Sequence, residues 1–335
     1  MTTDRAAVLA GLGAWVPPRT VTNDDLSQQF DTSDEWIRSR TGIATRHFVD
    51  PGMATSDLAV EAGARALKSA GGPAPDALVL ATTTPDRPCP GTAPDVAERL
   101  GLGHIPAFDV SAVCTGFLYA LATAAGLIAA GLAERVLVIG AESFSTILNP
   151  EDRTTSVIFG DGAGAVVLRA GRPEEPGALK AFDLGSDGTG VDLITVRAGG
   201  SQQRSTGLPA ALEDTFFSMQ GQQVFMQAVL RMSASSRTVL DQVGWSVEEL
   251  DALVGHQANL RILHAVADKL KFPREKAVVN VDKVANTAGA SIPLALADAA
   301  ADGTLRPGQK VLLTAFGGGL TWGSVALEWP ELDLA

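Results

Sequence analysis

Phe108-Asp-Val-Ser-Ala-Val-Cys114-Thr-Gly-Phe-Leu-Tyr-Ala-Leu-Ala-Thr-Ala-Ala-Gly-Leu-Ile128 joins a short apolar run to a long Ala-rich one, with a cysteine at the junction. The pattern predicts a strand ending at Cys114, a tight turn and a buried helix, so that Cys114 stands at a helix N-terminus. There the unpaired N–H groups and the helix dipole favour a thiolate. Gly116 is expected to give the backbone room beside the sulfur. From Gly116 to Leu132 no side chain is charged, yet the run falls short of the ~20 predominantly apolar residues of a membrane span. Strand patterns flank it on both sides, so it reads as a helix apolar all round, buried between two sheets. A free cysteine is often only a small buried apolar residue. The rest of the chain decides whether Cys114 is chemical.

At 335 residues the chain has room for two core-forming units, and 46% hydrophobic with 19% charged residues describes a globular protein. A net charge of −12 argues against nucleic acid or an anionic membrane as partner, and an acidic partner must find a local basic patch. Cys89 and Cys114 are the only cysteines, and the four histidines are scattered. A disulfide framework or a metal site is therefore not expected. No cleavable signal pattern opens the chain, which points to the cytoplasm.

Outward from the central stretch, Val8 to Trp15, Ala77 to Thr83 and Arg135 to Gly140 read as strands. Thr55 to Ala70 reads as an amphipathic helix stopped by Gly71-Gly72-Pro73. Gly11 and Gly13 begin a dinucleotide fingerprint that no third glycine completes. Thr32 with Glu35 fits a capping box. Phe159-Gly-Asp-Gly-Ala-Gly164 precedes a strand rather than a helix and lacks a phosphate-loop lysine, so it reads as a turn onto a sheet edge. The second half echoes the first: Asp251-Ala-Leu-Val matches Asp76-Ala-Leu-Val, and Lys310-Val-Leu-Leu matches Arg135-Val-Leu-Val. The echo predicts two related α/β halves, residues 1–172 and 173–335, packed face to face around buried helices.

Chemistry-bearing residues recur at predicted strand ends, where α/β proteins place ligands. They are Cys114, His256 in Gly-His-Gln-Ala-Asn-Leu-Arg, Asn286 in Ala-Asn-Thr-Ala-Gly-Ala-Ser291, and the run Phe316-Gly-Gly-Gly-Leu-Thr-Trp-Gly323. These motifs, with Asp31-Thr-Ser-Asp-Glu-Trp36 and Phe-Gly-Asp-Gly-Ala-Gly, resemble the β-ketoacyl-acyl carrier protein synthase III family from about Ala7 to Glu328. The resemblance implies the thiolase fold, a duplicated αβαβα five-layer sandwich, in a homodimer. It implies decarboxylative condensation of an acyl-CoA with malonyl-acyl carrier protein, with no cofactor or metal. Cys114 would be the nucleophile, His256 and Asn286 the donors to an enolate, and the N–H groups of Cys114 and Gly318 the oxyanion hole.

Contacts to CoA carry over to Trp36 and Arg153, which would sandwich the adenine, and to Thr32, Arg40, Gly221, Phe225 and Asn259 along the pantetheine tunnel. From Arg261 to Lys283, six basic residues stand against three acidic ones. This local excess makes Arg261, Lys269 and Lys271 candidates for docking an acidic carrier, although Met226 stands where the family often has a basic docking residue. Cys89 lies at a loop tip which, in the family, closes the partner subunit's acyl pocket and is frequently Phe. The smaller Cys89 predicts room for a starter longer than acetyl. Degradative thiolases need a second cysteine near the C-terminus, and chain-elongating synthases need a second histidine where this chain has Asn286. Transfer of the acyl group to an alcohol or a carrier without condensation is the alternative, and CO₂ release separates the two.

Overall fold

Alternation along the strands builds the molecule. The computed structural model describes residues 5–334. The first sheet holds β1 (Ala6–Trp15), β2 (Ala77–Ala81), β3 (Ala107–Val110), β4 (Arg135–Glu142) and β5 (Gly162–Gly171), in the order β1-β5-β4-β2-β3. The second holds β6 (Leu179–Ser186), β7 (Ala252–Gly255), β8 (Lys310–Gly317) and β9 (Thr321–Glu328), in the order β6-β9-β8-β7. In both sheets two antiparallel pairings are followed by a parallel one. The fifth strand of the first sheet has a remnant in the second. A single parallel bridge joins Leu253 to Ala277 where Leu78 pairs with Ala107.

Because successive side chains point to opposite faces, each buried strand feeds two cores. Leu78, Leu80, Leu137 and Ile139 face outward onto the helices Thr55–Ala70 and Ala93–Arg99. Val79, Val136 and Val138 face inward onto the helices Gly116–Ala129 and Ser291–Ala301, which also receive Val254, Val311 and Leu313 of the second sheet. Leu253, Leu312 and Phe316 face the helices Gly221–Val243 and Leu260–Leu270. In chain order, with Asp34–Thr41 first, these helices are α1 (Asp34–Thr41), α2 (Thr55–Ala70), α3 (Ala93–Arg99), α4 (Gly116–Ala129), α5 (Gly221–Val243), α6 (Leu260–Leu270) and α7 (Ser291–Ala301). The result is the duplicated five-layer αβαβα sandwich. The middle layer, α4 and α7, is Ala-rich; α4 is apolar all round, as the sequence requires of a helix with a sheet on each side, and α7 carries one charge, Asp298, at its partly exposed edge. Among the described residues no helix is long and apolar enough to cross a membrane.

Four local expectations are corrected. The strand before Cys114 ends at Val110, and a short 3₁₀ turn, Val113–Thr115, carries the cysteine into α4. The Phe159–Gly164 loop leads into β5, which is interior, paired with β1 and β4, rather than at an edge. Glycines there admit a neighbouring backbone: a Cβ on Gly164 would stand 2.8 Å from the Pro293 carbonyl carbon. The cap of α1 is Ser33, whose hydroxyl accepts the Trp36 N–H, and not Thr32 with Glu35. Gly116 faces Ala81 rather than opening space at the sulfur; Gly317 is the glycine that leaves room there, since a Cβ on it would stand 2.9 Å from the Cys114 nitrogen.

Candidate active site

Three chain reversals deliver the reactive side chains to one place. The 3₁₀ turn before α4 presents Cys114, the end of β7 presents His256, and the approach to α7 presents Asn286. All three open on one cavity of about 580 Å³. Val113, just before the cysteine, holds φ at 48°. A β-branched residue in that region is strained, the kind of backbone that persists where surrounding structure enforces it.

Cys114 is buried among Phe144, Phe159, Phe217 and Leu148. The first two rings stack at 4.2 Å, and Phe217 meets each edge-on at 5.0 Å. Burial, together with the nearby Glu142 carboxylate, pushes the thiol well above its ordinary range. Burial and Glu142 thus favour the thiol, against the sequence expectation of a thiolate at the helix N-terminus. Among the described residues neither the Cys114 nor the Gly318 N–H donates to another residue's carbonyl.

His256 is buried, and burial alone lowers its pKa to about 3, so the imidazole is neutral. Its Nδ1 lies 2.6 Å from the Ser291 hydroxyl. Asn286 is fixed by its own turn: its Oδ1 accepts the Ala288 N–H at 2.9 Å. Its backbone bridges to Phe159, and its N–H donates to the Ile158 carbonyl at 3.0 Å. With the amide oxygen engaged, the NH₂ group is the free functional end. The chemistry available is thus one thiol, two neutral donors and an open pair of backbone N–H groups.

Arg40, Gly221, Phe225, Asn259 and Arg261 line the same cavity, whereas Thr32, Trp36 and Arg153 do not. The Trp36 ring instead carries both guanidinium groups, Arg40 at 5.1 Å and Arg153 at 4.9 Å from its centroid. Arg153 also donates to the Asp31 carbonyl. The expected adenine slot between Trp36 and Arg153 is closed by Arg153 itself, so a base would enter by displacing it. Asn259 spends its side-chain oxygen capping α6, accepting the Ile262 N–H at 2.9 Å.

The basic stretch does not act as one patch. Arg261 begins α6 at the cavity, and Lys269 and Lys271 lie at its other end, on the order of 12–15 Å away at ~1.5 Å per residue. Arg274 is paired with Asp268, and Lys283 with Asp298. Cys89 is exposed. Its loop neighbours Pro85, Asp86 and Pro88 line a second cavity of about 680 Å³, which shares Val113, Ile194 and Phe217 with the first. Sequence reasoning passed over Ser291, Gln257, Glu142 and Gly317. Ser291 closes a quoted motif, but only its partner shows what it does.

The family described as 3-Oxoacyl-[acyl-carrier-protein (ACP)] synthase III matches residues 108–188, and its C-terminal counterpart matches residues 240–329. A relative from Streptomyces coelicolor, Beta-ketoacyl-[acyl-carrier-protein] synthase III 3, is 63% identical over 98% of this chain and 99% of its own. The crystal structure of 3-oxoacyl-(acyl carrier protein) synthase III from Pseudomonas aeruginosa is 54% identical, with TM-score 0.92 over 98% of this chain and 99% of that one. The priming β-ketosynthase of a polyketide biosynthetic pathway gives TM-score 0.90 at 32% identity, over 100% and 99% of the two chains. With Cys114, His256 and Asn286 on one cavity of a duplicated thiolase fold, the chain belongs to the β-ketoacyl-[acyl-carrier-protein] synthase III family of acyl-transferring enzymes.

Proposed function

We propose that the enzyme condenses an acyl-CoA with malonyl-acyl carrier protein, releasing CO₂, to start a fatty-acid or polyketide chain. The observation that carries this reading is the shared cavity of Cys114, neutral His256 and Asn286. Cys114 attacks the acyl thioester, and the oxyanion is met by the Cys114 and Gly318 N–H groups. CoA leaves as a thiol, taking up the proton that Cys114 gives, so the exchange needs no net proton. The aromatic wall of Phe144, Phe159 and Phe217 surrounds the acyl chain. Malonyl thioester then enters, loses CO₂, and its enolate oxygen takes hydrogen bonds from His256 and the Asn286 NH₂. The carbanion attacks the acyl-Cys carbonyl, and Cys114 departs as a thiolate that takes a proton from solvent.

The halves 1–172 and 173–335, a homodimer in the cytoplasm, a gating role for Cys89 towards a partner copy, and carrier docking led by Arg261 are parts of the same reading. The decisive experiment follows two half-reactions, acyl loading by intact-protein mass and CO₂ release from malonyl-carrier protein. Cys114→Ala should abolish loading. His256→Ala and Asn286→Ala should still load but lose CO₂ release by 10²-fold or more, the order set by removal of a single oxyanion donor. Loss of loading in Asn286→Ala would overturn the assignment. Acyl transfer to an alcohol with no CO₂ would favour the non-condensing alternative.

A further inference from the structure

The two halves repeat one local device. Val113 and Ala288 both hold positive φ, 48° and 43°, at the head of three-residue 3₁₀ turns, Val113–Thr115 and Ala288–Ala290, that run into α4 and α7. One constant spacing in sequence relates these turns, and the same spacing relates β4 to β8. The halves cross over here. The end of β8 meets the turn that bears Cys114, and the end of β4 meets the turn that bears Gly289. In the first crossing Gly317 contributes no side chain, and a Cβ there would stand 2.9 Å from the Cys114 nitrogen and 3.1 Å from the Thr115 nitrogen. In the second the equivalent residue is Glu142, whose Oε1 accepts the Gly289 N–H at 3.3 Å.

The correspondence extends one residue further, from Gly318 to Ser143. The Ser143 N–H donates to the Thr84 hydroxyl at 3.0 Å, and that hydroxyl donates to Glu142 Oε2 at 2.8 Å. The Thr83 N–H joins the cluster at 3.1 and 3.0 Å from the two carboxylate oxygens. So the N–H pair that stays open at Cys114 has a copy in the other half, and that copy is consumed internally around a buried carboxylate.

We propose that Glu142 is a positioning residue: its carboxylate fills the second half's copy of the oxyanion pocket and thereby aims the Asn286 amide at the enolate. This rests on the condensing reading above. The route is short. Glu142 holds Gly289 on one side of the turn, and Asn286 Oδ1 holds Ala288 on the other. Four donors converge on the carboxylate, the Gly289 and Thr83 N–H groups and the Thr84 and Thr82 hydroxyls, so a glutamine NH₂ would face a donor wherever it turned. The same negative group works against ionisation of Cys114 across the turn, in the direction found for the thiol. Of the other ionisable groups that line the Cys114 cavity, His256 is neutral, and Arg40 and Arg261 are the cations. Asp161, near the end of β4, is turned onto the Ser145 and Val49 N–H groups.

The test uses the full-length enzyme with Glu142→Gln and Glu142→Asp. It follows acyl loading, CO₂ release, and the pH–rate profile of iodoacetamide alkylation read on the Cys114 peptide. Glu142→Gln should load, lose CO₂ release by at least about tenfold, and move the alkylation midpoint down by roughly one unit as the buried charge goes. Glu142→Asp keeps the charge and the midpoint but, one methylene short, also loses CO₂ release. Wild-type CO₂ release in either variant overturns the proposal. So does equal loss of both half-reactions with an unmoved midpoint, the mark of a merely structural residue. Should Glu142→Gln fail to fold, selective loss in Glu142→Asp upholds the proposal and parallel loss overturns it. Failure of the condensing reading would show in the wild type, as absent CO₂ release, and would leave the alkylation profiles standing.

Discussion

A neutral imidazole has one ring N–H to offer, and at His256 the neighbours decide which nitrogen keeps it. The Ser291 hydroxyl accepts the Gln257 N–H at 3.4 Å and lies 2.6 Å from Nδ1. Among the described residues the Ser291 O–H has no other acceptor, so donating it to Nδ1 is the pairing that leaves no proton idle, and the ring proton then sits on Nε2. A neighbouring hydroxyl thus fixes the tautomer, and no carboxylate is present to draw His256 towards imidazolium. Ser291→Ala removes that selection. We expect CO₂ release to fall by roughly 10–100-fold, the range for disturbing an orienting partner of a functional histidine, with acyl loading at Cys114 intact. Equal CO₂ release in variant and wild type would show that the tautomer is set elsewhere. Cys114, His256 and Asn286 were legible in the sequence because the side chain is itself the reagent. Ser291 and Glu142 were not, because an ordinary Ser or Glu acquires its role only from what the fold sets beside it.

Between elements the limiting quantity is how closely a helix can lie on a sheet. Along β1, Gly11 and Gly13 gave half of a nucleotide fingerprint, and the structure supplies another use for them. A Cβ on Gly13 would stand 2.3 Å from the Ala66 nitrogen and 2.5 Å from the Ala62 carbonyl oxygen, both backbone atoms of α2. Nothing flexible can yield there. Gly13→Ala must push α2 outward, at the ~1–3 kcal/mol typical of an overpacked core. Thermal melts should show a drop of several degrees while loading of Cys114 below the transition is retained. An unchanged melting temperature would mean that α2 slides freely on the sheet. The strands were legible because Leu78 to Ala81 and Val136 to Ile139 are short unbroken apolar runs, the mark of strands buried on both faces. The fifth strand of the second sheet was not, since a lone bridge at Ala277 leaves no periodicity to read.

Across the whole molecule, three buried titratable groups pull stability in opposite directions with pH. Burial raises the Glu142 carboxyl to about 7 from 4.5 and the Asp161 carboxyl to about 6 from 3.8. Both therefore take up a proton more readily folded than unfolded, while Glu142 is the carboxylate that its donors require above about pH 7. Their contribution is complete below the unfolded pKa and is lost as pH rises through the folded one, about 3 kcal/mol each at ~1.4 kcal/mol per unit. Burial lowers His256 to about 3 from 6.5. Its contribution is complete above 6.5 and is lost as pH falls towards 3, on the order of 5 kcal/mol in all. Between pH 6.5 and 4.5 acidification therefore gains stability at the two carboxyls while losing it at the histidine. Two gains against one loss leave the wild type ~2 kcal/mol more stable at pH 4.5 than at pH 6.5, so its melting temperature should rise only modestly across that window. His256→Ala removes the opposing group, so its melting temperature should climb as pH drops from 7 to 4.5. Parallel curves for the two proteins would mean that the imidazole is not held neutral by burial, and its assignment as a neutral enolate donor would fall with it.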